Sequence, residues 1–449
     1  MHLRFQGQLT AADSKRYILH PFHVPAGAGQ INLHFRYAPA RVHKVRNLLS
    51  LTLFSPSGFR GAGHRSPALQ RVHISPNQAT PGYLPGPVEP GEWLVEIDAH
   101  LVLPEEPCRY WLNITTAPTS ELEPISHLYD SANSTAVTNR PGWYRGDLHT
   151  HTIHSDGAWD VVALLKAARD RKLDFLALTD HNTIAGLAEM AQAAPSELLT
   201  IPGMELTTFW GHALSLGIGR WIDWRVEPGK RAMPEIASEV HTNGGLFIIA
   251  HPNSIGDPHC TGCDWRYADM MPGPARVVEV WNGVWDNDDS GNECSLATWY
   301  HWLNQGHRLV ATAGTDAHGP HHYKARVGFN VVYADALSQQ AILEAIARGH
   351  LYLSSGPRLE LNARTSAGDE GMMGDTLRGE TVEFIARWED SPRRARLRVI
   401  ADGKPLLERE VMPEGEETWT LTTSQIQWCG VELRDPSGRV LALTNPIFF

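Results

Sequence analysis

The sequence predicts an α/β barrel, or a strongly curved and mostly parallel sheet, held between two β-sandwich domains. Three observations predict it. Residues 1–138 read as short β-runs broken by turn residues, residues 143–353 alternate apolar strands with amphipathic helical stretches, and residues 356–449 return to β-runs. With 449 residues, 42% of them hydrophobic and 20% charged, the chain suits a globular protein of two or three domains with a large core.

In the first segment "QINLHFRYA", "NLLSLTLFS", "GEWLVEIDA" and "YWLNITTA" supply the strands, and no helical period interrupts them. Their spacing suggests a β-sandwich, with "YDSANSTAVTNRPG" as the linker leaving it. From Trp143 the expected strands are "WYRGDLH", "DFLALTD", "LLTIPGMEL", "HALSLGI", "GLFIIAH", "RVVEVWN" and "RLVATAGTD". Helices fall between several of them. In "AWDVVALLKAARDRK", for instance, Val161, Leu164, Leu165 and Ala168 share one helical face. Beyond "GHLYLSSGP", the runs "RLELNA", "ETVEFIARW", "ARLRVIADG", "TWTLTT" and "GVELRDPSGRVLALTNPIFF" predict a second, smaller sandwich.

A formal net charge of −11 works against wrapping a long polyanion such as duplex DNA, because phosphate contacts need clustered Lys and Arg. A small-molecule substrate is favoured. "MHLRFQGQLTAADSKRY" lacks the continuous apolar core of a secretory signal, and no apolar run is long enough to span a bilayer, so a cytoplasmic protein is expected. Five cysteines do not suggest a disulfide framework. Cys260 and Cys263 have zinc-knuckle spacing but no second CxxC follows, which makes them incidental loop thiols.

Each expected barrel strand ends in a polar or ionisable residue. In order these are His149 and His151, Asp180 and His181, Glu205, His212, His251, Asn282, then Asp316 and His318. Active sites of α/β barrels are built at the C-terminal ends of the strands, so these side chains should converge. The spacing H-T-H puts His149 and His151 on one side of an extended chain. Asp316 and His318 repeat it with a carboxylate that suits a harder divalent cation, and Glu205 can bridge two ions. Neutral imidazoles crowded without a metal gain little and repel one another when protonated, so cations are expected at the centre.

Any single histidine has an ordinary alternative as a half-buried, hydrogen-bonded side chain. Of the 23 in the chain, His241, His259, His301, His307 and His350 are assigned to such scatter, and His321 and His322 to the mouth without ligation. His154 lies between ligands but off the alternation, either behind them or facing substrate. Asp180 reads as a ligand or as the orienting partner of a metal-bound histidine.

With these residues in hand, the sequence resembles the PHP (polymerase and histidinol phosphatase) superfamily of metal-dependent hydrolases, and within it the CehA/McbA-like branch. The resemblance rests on "GDLHTHTIHSDG", "ALTDHN", "GMELT", "GHALSLG", "IAHPN", "VEVWNG" and "TAGTDAH", in that order across roughly 143 to 353, plus a closing "ALTNPIFF". It implies a distorted (β/α)7 barrel holding two or three divalent ions, Zn, Mn or Fe. By motif, His149, His151, Glu205 and Asp316 would hold the first ion, Glu205, His212 and His251 the second, and Asp156, His181 and His318 the third. Asp156 stands where many members carry a histidine, which bears on the third position.

The chemistry that follows is hydrolysis by a hydroxide bridging two ions, foremost of a phosphomonoester or phosphodiester. Asp316 or His318 would relay a proton to the leaving group, with Asp180 counted beside them as catalytic. Lys324 and Arg326 are candidates for phosphate contacts or else solvated loop charges. Asn253 and Asn282 would bind polar groups of the substrate or cap loops, and Trp281 and Trp285 would wall an aromatic pocket or pack. Two other classes are carbamate, ester or amide hydrolysis of the CehA/McbA type, and a non-catalytic module that binds metal or carbohydrate. The oligomeric state has no signal in the sequence.

Overall fold

The computed structural model describes residues 1–118, 136–324 and 326–449, so residues 129–135 of the expected linker lie outside it. The N-terminal region forms two four-stranded antiparallel sheets. In one, His2–Leu9, Cys108–Ala117, Gln30–Ala38 and Leu69–Ile74 lie side by side; in the other, Arg16–Val24, Gly91–Leu101, Leu48–Ser55 and Gly58–Gly63. Alternation sends Leu33, Phe35, Leu51, Leu53, Val95, Ile97, Leu112 and Ile114 into one apolar core between the sheets. Val137 and Thr138 already belong elsewhere, exchanging backbone hydrogen bonds with Leu337.

The central region departs from a regular barrel. Gly142–Asp147, Phe175–Leu178 and Leu199–Thr207 run parallel, as do Leu246–Ile249, Val277–Asn282 and Val310–Gly314. Between the two parallel sets His212–Leu216 is antiparallel to both neighbours. The cause is local: residues 208–211 alone join it to the preceding strand, and a parallel return needs a crossover of about a dozen residues. The ring is also not closed by a ladder. Between Val310–Gly314 and Phe329–Ala334 the Asn330 side-chain amide accepts from the Ala313 amide at 2.9 Å and donates to its carbonyl at 2.6 Å, standing in for a strand pairing. Thr150 and Ala317 form a single parallel bridge beside it.

Helices pack outside this sheet. Val161–Asp170 is capped by the Asp160 carboxylate, which accepts from the Ala163 amide, and it buries Val161, Leu164, Leu165 and Ala168. The sheet does not stop at the expected boundary. Phe329–Ala334 pairs with Leu351–Ser354, which pairs with Val440–Thr444 of the C-terminal region, and the path continues through Trp428–Arg434 and Arg396–Ala401 to Lys404–Glu410. A second C-terminal sheet of Glu370–Met372, Arg358–Thr365, Thr381–Glu389 and Gly415–Thr422 closes over a core that includes Leu361, Phe384, Val399 and Val431. Among the described residues no helix is long and apolar enough to cross a membrane.

Candidate metal centre

His149 and His151 lie just past the end of Gly142–Asp147 rather than in it. Their segment is nonetheless extended, because Thr150 bridges Ala317 and receives the Thr179 hydroxyl on its carbonyl, so the two imidazoles sit side by side with centroids 5.0 Å apart. Asp316 and His251 take positive φ values of 50° and 28°, a strained conformation held by the loops around them at the same end of the sheet. Gly314 is required nearby, since a Cβ there would run into His149 and the Glu279 carboxylate.

These placements bring all nine expected ligands together. His149 Nε2 and His151 Nε2 each lie 3.3 Å from Glu205 Oε2, and 3.4 Å and 2.9 Å from Asp316 Oδ1. His212 Nδ1 and His251 Nε2 approach Glu205 Oε1 at 3.0 Å and 3.2 Å. Asp156 Oδ1 is 3.5 Å from His181 Nε2 and 3.1 Å from His318 Nε2. Ligand atoms gather as four overlapping groups: His149, His151 and Glu205; His149, His251 and Asp316; His181, Glu205 and His212; and His151, Asp156, His181 and His318.

Protons do not satisfy this cluster. His149 Nε2, both ring nitrogens of His151, Asp156 Oδ1, Glu205 Oε2, His212 Nε2 and Asp316 Oδ1 are buried without a hydrogen-bond partner, although opposite charges stand within 4 Å. Lone pairs that face a common centre without sharing protons suit cations. The electrostatics of the cluster are strongly coupled. Burial opposes the charge on Glu205, yet His181, His149 and His212 hold its carboxyl well below the ordinary range. Burial and the facing rings of His181 and His318 push His151 down to about 4, while for His318 the carboxylates Asp156 and Asp316 outweigh burial and raise the imidazole to about 9.

Three supporting carboxylates and amides hold the ligands. Glu279, buried in its strand, bonds His149 Nδ1 at 2.9 Å and so turns Nε2 inward. Asn282 donates to Glu279 at 2.8 Å and to Asp316 Oδ2 at 3.4 Å, so it braces the ligands instead of meeting substrate. Asp147 receives the Thr315 hydroxyl and amide, the Tyr323 hydroxyl and the His149 amide, which ties the first ligand loop to the last. Neither Glu279 nor Asp147 was singled out in the sequence. The signal for Glu279 was a carboxylate inside the apolar run "VVEVWN".

Several expected roles are corrected. Asp180 spends both oxygens on Thr152 and Ser155, with bonds of 2.6–2.7 Å, so it shapes the 152–155 loop and neither ligates nor reaches the cavity. His154 accepts from the Gly82 amide at 3.1 Å and pairs with Glu189 at 3.2 Å, which turns it from the site. Asn253 and Arg326 are exposed and do not line the cavity, because the loops carrying them turn outward. The Lys324 side chain lies outside the described residues. Trp281 and Trp285 are packed in the core, their indoles donating to Gly283 and Glu293. His259 lines the cavity and is not scatter, and Cys260 and Cys263 beside it form a disulfide.

The cavity over the cluster has a volume of about 300 Å³, and the N-terminal region contributes Arg46, Leu48, His64, Ser66 and Leu101 to its lining. No sequence period marked these residues. Their contribution depends on how one sheet docks on another.

Residues 147–223 match the family model described as PHP domain. The 5'-3' exoribonuclease Rnm of Escherichia coli is 40% identical over 67 residues, 14% of this chain and 23% of that protein. The 3',5'-nucleoside bisphosphate phosphatase of Chromobacterium violaceum is 40% identical over 77 residues, 16% of this chain and 27% of that protein. The chain thus spans about a quarter of the length of these curated relatives. Among solved structures, a two-domain protein from Bacteroides vulgatus, described as containing a predicted PHP-like metal-dependent phosphoesterase, is 16% identical with a TM-score of 0.40, covering 68% of this chain and 95% of that one.

Proposed function

We propose that the chain is a metal-dependent phosphoesterase that hydrolyses a small phosphoester at the strand-end cluster. The observation that carries this is the set of buried, unpartnered ligand atoms on His149, His151, Asp156, Glu205, His212 and Asp316 turned toward one space. Two or three divalent ions, of Zn, Mn or Fe, suit a donor set of nitrogen and oxygen, with the sets His149/His151/Glu205/Asp316, Glu205/His212/His251 and Asp156/His181/His318 as their holders. Such ions supply a water of lowered pKa and neutralise charge on phosphoryl oxygens.

The chain's own residues do the rest. Glu279 fixes the ring of His149, Asn282 braces Asp316, and Asp147 keeps the two ligand loops in register. Where only the first two ion sets are filled, His318, with its Nδ1 on the Asp316 carbonyl at 2.7 Å and 28% of its side chain exposed, keeps Nε2 free to hand a proton to a leaving oxygen. The chain divides functionally into residues 1–138, 143–353 and 356–449, with the chemistry in the middle unit.

The cavity favours an anion. Besides the ligands, the polar side chains Arg46, His64, Ser66, His259 and Thr261 line it, against the apolar Leu48, Leu101 and Pro258, whereas a carbamate or ester hydrolase of the CehA/McbA type needs apolar walls. Two of the relatives above, by name an exoribonuclease and a bisphosphate phosphatase, act on phosphoesters and support the same choice.

The test combines metal analysis of protein purified without chelator with turnover of p-nitrophenyl phosphate, bis(p-nitrophenyl) phosphate and naphthyl N-methylcarbamate. Phosphoester turnover that chelation abolishes is expected, with His149→Ala and Glu205→Ala each lowering it by about 10³-fold or more, roughly 4 kcal/mol of transition-state stabilisation. Near-normal turnover and metal content in either variant, or turnover of the carbamate alone, overturns the proposal.

A further inference from the structure

The sheet of the N-terminal region that faces the metal cavity has an unusual outer side. In Gly91–Leu101 the residues Trp93, Val95, Ile97 and Ala99 enter the sandwich core, so Glu96, Asp98 and His100 point the other way. In Leu48–Ser55 the same alternation leaves Leu48, Ser50 and Thr52 on that side. Glu96, Asp98, His100, Ser50 and Thr52 are nonetheless buried, because the central region covers them. A polar face buried between domains is costly unless every group is paired; Glu96 and Asp98 hydrogen-bond each other, both carboxyls held above their ordinary range by burial, while His100 Nδ1 and His64 Nδ1 lack partners.

The groups that are paired form a string leading to the cavity. Asp98 receives the hydroxyls of Thr52 at 2.8 Å and Ser50 at 3.2 Å; Ser50, donating there, accepts from His100 Nε2 at 2.8 Å. His100 meets His64 edge to face with centroids 4.8 Å apart, and His64 lies 4.6 Å from the His181 ring. The docking that fixes this wall is extensive. Trp221 stacks on Phe59 at 4.5 Å, Arg225 lies over Phe54 and reaches Glu96 at 3.1 Å, Lys15 pairs with Asp257 at 2.8 Å, and the Thr183 hydroxyl donates to the Gly82 carbonyl.

We propose that this outer face is the substrate-binding wall of the metal cavity, with His64 touching the phosphoryl group from the side opposite the ligand strands and Arg46 meeting its negative charge at the mouth. The substrate class is a small phosphomonoester, whose terminal dianion suits a cavity of about 300 Å³ in which Arg46 is the one guanidinium among the described residues lining the space. The proposal rests on the metal-dependent phosphoesterase reading. Ser50, His100 and Asp98 are positioning residues that hold the His64 ring.

The experiment is calorimetric titration of inorganic phosphate into the full-length, metal-loaded protein, with metal per chain measured in parallel. Expected is phosphate binding that weakens at least tenfold in His64→Ala and in Arg46→Ala, with metal content unchanged and Arg46→Lys retaining most of the affinity. Arg46 is exposed, so its variant tests the wall even where His64→Ala fails to fold. Affinity within twofold of the parent in Arg46→Ala or in a folded His64→Ala, or loss of metal in a folded His64→Ala, overturns the proposal; so does a parent that binds no phosphate. Failure of the hydrolase reading is distinct, since it appears as a parent that binds phosphate through Arg46 and turns over no phosphoester.

Discussion

The two β-rich ends of the chain look alike in sequence and are put to opposite uses. The N-terminal sandwich keeps its own core and offers the central region a polar face over the metal cavity. The C-terminal region shares both backbone and core with the central sheet: Leu351–Ser354 pairs with Val440–Thr444, and Ile400, Trp428, Val440, Leu443 and Phe448 join the same apolar cluster as the central strands. The first contact adds buried titratable groups to aromatic packing, and the second adds ion pairs such as Arg434 with Glu293 to apolar burial and a strand ladder. Strand texture alone does not say whether a flanking domain supports a site or takes part in it.

At the C-terminal junction Trp428 is 1% exposed, packs at a tilt against Trp299 and Tyr300, and donates to Asn304. Trp428→Ala is expected to cost about 3 to 5 kcal/mol by chemical denaturation and to leave the KM for a phosphoester unchanged. A changed KM with intact stability would mean that the C-terminal end also reaches the cavity. Below the ordinary imidazole pKa of about 6.5, His318 contributes stability to the metal-free protein, and that contribution is lost as pH rises through about 9. Because a ligand imidazole must be neutral, metal affinity should rise by about tenfold or more between pH 7 and 9, measured by competition with a chelator. The Trp428→Ala protein should show the same pH dependence, as Arg434 at the C-terminal junction is held charged by Glu293 and Glu432, against burial. The smallest effect is expected at the exposed pair of Arg396 and Arg398 with Glu408 on the sheet edge, where Glu408→Ala should cost less than about 1 kcal/mol and leave turnover unchanged.

Much of the candidate site was legible because its signals are local. A polar residue at the end of an apolar strand, and two histidines two residues apart, are properties of short segments, so His149, His151, Glu205, His251, Asp316 and His318 could be read one by one. Asp180 carried the strand-end signal and misled, and His154, already off the alternation, faces away from substrate, because the hydrogen bonds that claim them come from Thr152, Ser155, Gly82 and Glu189, and short-range pattern does not rank such partners. Glu279 and Asp147 went unnoticed for the converse reason: their partners are contributed by segments more than a hundred residues away, His149 for one and Thr315 for the other.

By itself the sequence determined which residues are donors and in what order they follow the strands, since side-chain alternation and strand ends are set by the backbone's own period. Only the tertiary structure decided that His212–Leu216 runs antiparallel, that the ring is bridged by Asn330 and not by a ladder, and that an N-terminal sheet lays His64 and Arg46 over the cavity. Those outcomes depend on which distant surfaces fit and which buried polar groups find partners, and no periodicity along the chain encodes that choice.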